Sequence, residues 1–277
     1  MSRAPAGAVV TGAGRGLGKE IARLLAQRGY QVLLTDIDST AVADAAAEIS
    51  GTATSMAVDV RDNAQVTAAR DAIVRAAGRL DVWVNNAGVL VTGPAWEQSA
   101  DQRRLMVEVN ALGTINGTVA AIEGMRGHGG HIVNVVSLAG LTAVPGEAVY
   151  AGSKHAAIGF SLSTLADLRL AGIEDIDISC VCPDGIWTPM LHDKLDDPSS
   201  ALSFSGKLLQ PDEVVAAVSK VLDKPRPVTT IPTWRGLQAR LADLFPRLGL
   251  RAAPIAVAHG RRTQRRLLRK AESRQPR

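Results

Sequence analysis

Aromatic side chains make up only 3% of this chain, as four Trp, two Tyr and three Phe. A core built on large rings is therefore excluded, and the abundant Ala, Val, Leu and Gly point to helices packed closely on a sheet. Only two cysteines occur, Cys180 and Cys182, alternating with Val181 in an apolar run and forming no CxxC pair. A disulfide scaffold is excluded, and two buried thiols on one face of a strand are expected. The five His fall at no HExxH or other ligand spacing, so the sequence makes no case for a metal. Nowhere do about 18 apolar residues run uninterrupted, and the N-terminus MSRAPAGAVVTG lacks a basic stretch before an apolar one. Neither signal peptide nor membrane span is expected. A cytoplasmic chain is the expectation, and there the sequon Asn116-Gly117-Thr118 would meet no glycosylation machinery.

Acidic excess is also absent: the net charge is +4. Residues 261–277 hold eight Lys or Arg against one Glu, a local +7, which leaves −3 on the rest. The basicity belongs to the tail, so a basic face for nucleic acid on the folded body is not expected.

What the chain does have is rhythm. Short Val- and Ile-rich runs alternate with Ala-rich stretches of helical period: AVVTG then 16–29, QVLLTD then 39–50, TATSMAVDV then 63–78, LDVWVNNAG then 100–125. HIVNVVS, a helix near 148–171, IDISCVCP, 211–222 and PVTTIP continue it. This order predicts an α/β fold, a Rossmann-type doubly wound parallel sheet of about seven strands with helices on both faces. Ligands of such sheets gather beyond the carboxyl ends of the strands, where strand order reverses.

Two stretches break the rhythm. Residues 184–210 are too long and irregular for a plain connection and read as a lid or binding loop. After Pro232, Trp234, Leu237, Leu241, Leu244, Phe245 and Leu248 recur at helical spacing opposite Arg235, Arg240 and Arg247. The chain thus divides into 1–232, one α/β domain, and 233–277, a C-terminal appendage of an amphipathic helix and an Arg-rich tail. The appendage could rest on an anionic membrane surface, cover the cleft or join subunits; a solvated, partly disordered tail is the plain reading.

The first strand runs into TGAGRGLG, Thr11 to Gly18, and then a helix. Gly12, Gly16 and Gly18 let the backbone turn and approach a pyrophosphate, which free amides at the helix N-terminus would hold. Asp36 ends the next strand 18 positions after Gly18, where a carboxylate accepts both ribose hydroxyls and repels a 2′-phosphate. Asp36 argues for NAD over NADP, although Arg15 in the glycine turn could attract that phosphate. Further on, YAGSK sets Tyr150 and Lys154 one helical turn apart on one face. Spacing alone leaves open a packed ring beside a solvated amine.

With these residues in register the chain resembles the short-chain dehydrogenases/reductases over about residues 6–232. TGAGRGLG fits that family's cofactor turn, Asp59-Val60 its adenine-contacting pair, and Asn85-Asn86-Ala87-Gly88 its NNAG. Asn110, Ser137, Tyr150 and Lys154 fall where its catalytic tetrad stands, with Ser137 thirteen residues before Tyr150. The resemblance implies cofactor contacts from Gly12, Arg15, Gly16, Leu17, Gly18, Asp36, Asp59, Val60, Asn86, Ala87, Gly88, Tyr150 and Lys154, and from Pro183, Gly185, Ile186 and Thr188 beyond the sixth strand. It implies a Tyr150 general acid/base, a Ser137 that holds the substrate oxygen, a Lys154 that holds the nicotinamide ribose, and an Asn110 that fixes a water. It also implies a homodimer or homotetramer.

The expected activity is NAD-dependent interconversion of a secondary alcohol and a ketone. The alternative is a non-catalytic dinucleotide-binding sensor or scaffold, which has no need of the full tetrad. A free phenol titrates near 10, so a base useful near pH 7 needs about 4 kcal/mol of preferential phenolate stabilisation, which Lys154 and an oxidised nicotinamide would share. Leu138, Val144, Pro145, Trp187, Met190, Leu191 and Leu195 could line a pocket for a bulky apolar substrate, or equally be core. One departure from the family is Asp184, which follows Pro183 where glycine is usual. An unpaired buried carboxylate is costly, so Asp184 is expected to face solvent rather than the substrate.

Overall fold

The computed structural model describes residues 6–49 and 51–272. Residues 1–5 of the expected main domain, Ser50 at the expected end of its second helix, and residues 273–277 of the Arg-rich tail lie outside the described residues.

Seven parallel strands form one sheet in the order β3-β2-β1-β4-β5-β6-β7: β1 Gly7–Thr11, β2 Gln31–Asp36, β3 Ala53–Ala57, β4 Leu80–Asn85, β5 Gly130–Val135, β6 Ile176–Pro183 and β7 Val228–Ile231. The chain winds outward from β1 through β2 to β3, then returns to place β4 on the other side of β1. The order therefore reverses between β1 and β4, which opens a crevice at their carboxyl ends.

Side chains alternate across the sheet and feed buried apolar clusters on both of its faces. Ala8 and Val10 of β1 point to one face with Ile21 and Leu25 of α1 (Gly16–Gln27) and Val214 and Val218 of α8 (Pro211–Asp223). Val9 points to the other, with Ile73 of α3 (Asn63–Ala77), Met125 of α5 (Gly113–Met125) and Leu168 of α6 (Ala148–Leu170). Each fully buried Ile or Leu contributes about 2 kcal/mol, so few aromatics suffice. Caps fix where helices begin. Asp38 accepts from the amides of Thr40 and Ala41 at the start of α2 (Ser39–Ala47), and Asp62 from Ala64 and Gln65 at the start of α3. Ser99 and Gln102 form a reciprocal capping box on α4 (Ala100–Val107).

A π-helical turn, Glu108–Leu112, joins α4 to α5 and displaces Asn110 from the regular spiral. The run Ala100–Met125 is long and apolar enough to cross a membrane by length and composition, yet most of it is buried in this fold. Asn116 and Thr118 of the sequon are buried there too.

The short α7 (Pro189–His192) follows β6, and beyond β7 come α9 (Thr233–Leu244) and α10 (Pro246–Glu272). The partly disordered tail expected after residue 260 is instead helical as far as Glu272. Two residues dock it. Gly260 lies so close to Ala201 that a Cβ would overlap the Ala201 carbonyl, and Gln264, 4% exposed, donates through Nε2 to Asp197 O at 2.8 Å and Ser200 Oγ at 2.9 Å. The apolar stripe of α9 faces outward. Small residues, Gly236 and Ala239, take the buried side, and a Cβ on Gly236 would run into Thr230 of β7.

Candidate active site

The glycine turn after β1 is shaped by close approach. Gly12 has φ +62°, and a Cβ there would lie 2.7 Å from Ala87 Cα; one on Gly18 would lie 2.5 Å from Asn86 Nδ2. Asn86 closes the turn by donating to Thr11 O at 3.0 Å and Gly12 O at 2.9 Å, while Thr11 Oγ1 accepts from the amides of Asn86 and Ala87. The second and third residues of NNAG therefore shape this floor. The first, Asn85, lies behind it. It accepts from Trp83 Nε1 at 2.8 Å and donates to Asn134 Oδ1 at 2.8 Å, a buried network that fixes the ends of β4 and β5.

One cavity of about 830 Å³ runs over the carboxyl ends of the strands. Gly12, Arg15, Gly16 and Leu17 line it where α1 begins, and Arg15 at the N-cap makes no capping hydrogen bond with its side chain. Amides and helix dipole are thus presented to an anion. Asp36 lines the same end, oriented by the Gly14 amide on Oδ2 at 3.0 Å and the Asp38 amide on Oδ1 at 3.1 Å. Asp59 and Val60 line it as well. The Asp59 carboxylate is already engaged by the Arg61 guanidinium at 2.6 and 2.9 Å, which holds it below the usual carboxylate range, and it caps no helix. Asn116 secures Val60 by donating to its carbonyl at 2.9 Å. The cradle of glycines, the presented helix terminus and the Asp36 carboxylate fit a dinucleotide, from pyrophosphate to adenosine ribose.

The second half of the cavity holds the other expected residues. Ser137 follows β5, extended, with Oγ accepting from the Ala139 amide at 3.1 Å. Tyr150 and Lys154 stand one turn apart on α6, with Lys154 Nζ 5.7 Å from the centre of the Tyr150 ring and 3.3 Å from Val135 O. Asn110 is fully buried behind the wall. Its Oδ1 accepts from Val89 N at 2.9 Å, and its Nδ2 donates to Val89 O at 2.9 Å and Ser153 Oγ at 3.0 Å. Ser153 Oγ in turn donates to Tyr150 O at 2.7 Å, so Asn110 ties the loop after β4 to the helix that carries Tyr150. Gly88 is the point of convergence: a Cβ there would sit 3.2 Å from Asn110 Oδ1 and 3.6 Å from Lys154 Nζ. Pro183, Gly185, Ile186 and Thr188 line the cavity beyond β6. Of the expected site residues, only Gly18 and Asn110 stand behind its wall rather than in it.

The chain's own groups push the Tyr150 phenol up: burial raises it, Glu147 raises it further, and a side-chain hydrogen bond with Ser137 opposes them. Burial lowers the Lys154 ammonium to about 8. The chain by itself therefore holds Tyr150 protonated at neutral pH.

Sequence reasoning missed Glu147. It lies in the cavity wall one turn before Tyr150, 2% exposed, with Oε1 accepting from Ser203 Oγ at 2.6 Å. Burial pushes it up to about 7, with Asp197 and Asp184 adding to the rise. A lone Glu at the start of a helix carries no sequence signal of this kind. Asp184 faces neither solvent nor substrate alone. Its side chain is 8% exposed and pairs at 2.8 Å with Nε of Arg235 from α9, while Nη2 of Arg235 donates to Ser205 Oγ at 3.2 Å. The correction has a simple cause: the appendage supplies the cation that makes burial tolerable.

Of the expected apolar wall, Leu138, Val144, Pro145, Met190 and Leu191 line the cavity. Trp187 instead packs its ring 4.0 Å from that of His192, and Leu195 is half-buried outside the lining. Ala239, Ala242, Pro246 and Leu250 of α9 and α10 complete the wall from above.

Comparison with known proteins gives a consistent picture. A family model described as short chain dehydrogenase matches residues 6–199. A cyclopentanol dehydrogenase of Comamonas sp. (strain NCIMB 9872) is 38% identical over 219 residues, covering 76% of this chain and 86% of that protein. The oxidoreductase UcpA of Escherichia coli (strain K12) is 34% identical over 212 residues, covering 73% and 79%. Among solved structures, a short chain dehydrogenase/reductase from Burkholderia phymatum in complex with NAD superposes with a TM-score of 0.80 at 28% identity, covering 90% of this chain and 96% of that one.

Proposed function

This chain belongs to the short-chain dehydrogenase/reductase family and is an oxidoreductase of it, and from that premise we propose that it interconverts a secondary alcohol and a ketone with NAD. The observation that carries the reading is the meeting of Ser137, Tyr150 and Lys154 in one cavity wall, braced by Asn110, beside the glycine turn and Asp36.

The first-turn amides of α1 would hold the pyrophosphate, Asp36 the adenosine ribose, Lys154 the nicotinamide ribose, and the Ile186 to Thr188 segment the carboxamide. Asp36 favours NAD because its carboxylate repels a 2′-phosphate. When bound, the nicotinamide supplies hydride acceptance or donation and, oxidised, a positive charge.

Ser137 Oγ holds the substrate oxygen against Tyr150. In ketone reduction Tyr150 Oη delivers its proton to that oxygen, and in alcohol oxidation it takes the hydroxyl proton. Chain residues alone keep Tyr150 in its acid form, so the raised phenol stands ready for reduction. Oxidation requires the Lys154 ammonium to stabilise the phenolate. Asn110 Oδ1 accepts one hydrogen bond and keeps a second lone pair, through which it would fix the water of a proton path.

The apolar wall of Leu138, Val144, Pro145, Met190, Leu191 and Leu250 suits a bulky apolar alcohol, and the name of the Comamonas relative agrees with a cyclic secondary one. Val119 of α5 and Leu162 of α6 are exposed on the flanks of the sheet, which supports homo-oligomer formation through those helices.

The test is a screen of the purified chain against secondary alcohols deuterated at the carbinol carbon, with NAD and with NADP. The proposal expects deuterium in the reduced cofactor and faster turnover with NAD. No transfer with any alcohol or ketone would sink it.

A further inference from the structure

The outward stripe of α9 is unusual for a helix that packs on a domain. Trp234, Leu237, Leu241 and Leu244, followed by Phe245 and Leu248, are 49–68% exposed, and Ile255 on α10 is 75% exposed. The buried side is held by close backbone approach at Gly236, Gly249 and Gly260 and by the Arg235–Asp184 pair, so the stripe cannot turn inward without undoing that packing. Large apolar side chains left outward in a contiguous row mark a docking surface.

Charge decides among occupants. Arg240, Arg247 and Arg251 are exposed on the same two helices, and Arg262, Arg265, Arg266, Arg269 and Lys270 gather along one side of α10. A second copy of this chain would bring the same row of cations against them, at a Coulombic cost. An anionic lipid surface meets both features at once: Trp, Leu and Phe enter the boundary between headgroups and acyl chains, and Arg meets phosphate.

We propose that the α9–α10 hairpin docks this protein on an anionic membrane surface. The docking does not depend on the chemistry of the cavity.

The test is co-sedimentation of the full chain with vesicles of phosphatidylcholine alone and of an equimolar mixture with phosphatidylglycerol. Tighter binding to the anionic vesicles, by about tenfold or more, and its loss in high salt are expected. The double variant Leu241→Glu, Leu244→Glu removes the apolar contact without touching the cavity lining and should abolish sedimentation. The double variant Arg265→Ala, Arg266→Ala, at exposed positions, should weaken it by about fivefold for each Arg removed. Circular dichroism and turnover of a water-soluble alcohol should match the parent in both. A chain that stays in the supernatant with anionic vesicles at low salt, or binds both lipids equally, overturns the proposal. So does sedimentation velocity in which the Leu variant breaks up an oligomer while the parent binds no vesicles, since that would make the stripe a subunit contact.

Discussion

Replacing Glu147 by Gln should change how stability depends on pH. The carboxyl is 2% exposed, accepts a hydrogen bond from Ser203, and is raised from 4.5 to about 7, chiefly by burial. A shift of that size corresponds to about 3 kcal/mol between the charged and neutral forms. The folded chain binds this proton more tightly than the unfolded chain, so the contribution is fully present below 4.5 and is lost as pH rises to about 7. The parent should therefore lose about 3 kcal/mol across that window from this group, and Glu147→Gln should not. At pH 8 the variant should be the more stable of the two. Urea unfolding at several pH values, read by intrinsic fluorescence, measures the difference. Equal pH slopes in parent and variant, or a variant less stable at pH 8, would refute the reasoning. A second consequence reaches the chemistry. The Glu147 charge raises the Tyr150 phenol, so Glu147→Gln should move the limb of the kcat/KM profile that reports Tyr150 to lower pH.

Three further outcomes follow from other contacts. Arg235→Ala leaves Asp184 buried without its cation and should cost about 3 kcal/mol in thermal or urea unfolding, with Arg235→Lys recovering only part because one ammonium cannot reproduce the fork to Asp184 and Ser205. Gly260→Ala would drive a methyl group into the Ala201 carbonyl, so α10 should lift from the 198–204 segment; faster proteolysis within α10 checks it, and an unchanged cleavage rate would show that the docking tolerates a Cβ. Asp36→Ala should weaken NAD and relieve the exclusion of NADP, and a parent with equal affinity for both in fluorescence titration would remove the basis for the expectation.

How much of this was legible beforehand depended on the range of each interaction. The succession of strands and helices and the glycine turn are written in local periodicity and spacing, so the count of strands and the floor of the cavity are readable from residues close together in the chain, whereas the strand order that sets the crevice between β1 and β4 is not. Tyr150 and Lys154 are one turn apart on a helix and share a face by geometry alone. Asp184 and Arg235 are 51 residues apart, and Glu147 and Ser203 are 56 apart. Neither pairing has a local signature, so neither the cation beside Asp184 nor the burial of Glu147 is legible in the sequence. The stripe on α9 shows a third limit. Periodicity reveals that a helix has an apolar side, but which side packs was settled by Gly236, which alone allows contact with Thr230. The upward push on Tyr150 from the chain's own groups is likewise hidden, because local spacing shows neither its burial, the larger cause, nor the buried Glu147 carboxylate beside it.

The central claim is that the Tyr150 hydroxyl carries the proton of an alcohol–ketone interconversion. Steady-state turnover and NADH binding of Tyr150→Phe, measured side by side, test it most directly. Turnover should fall by roughly a hundredfold to ten-thousandfold while NADH binding stays within a few-fold of the parent. Turnover equal to the parent would contradict the claim.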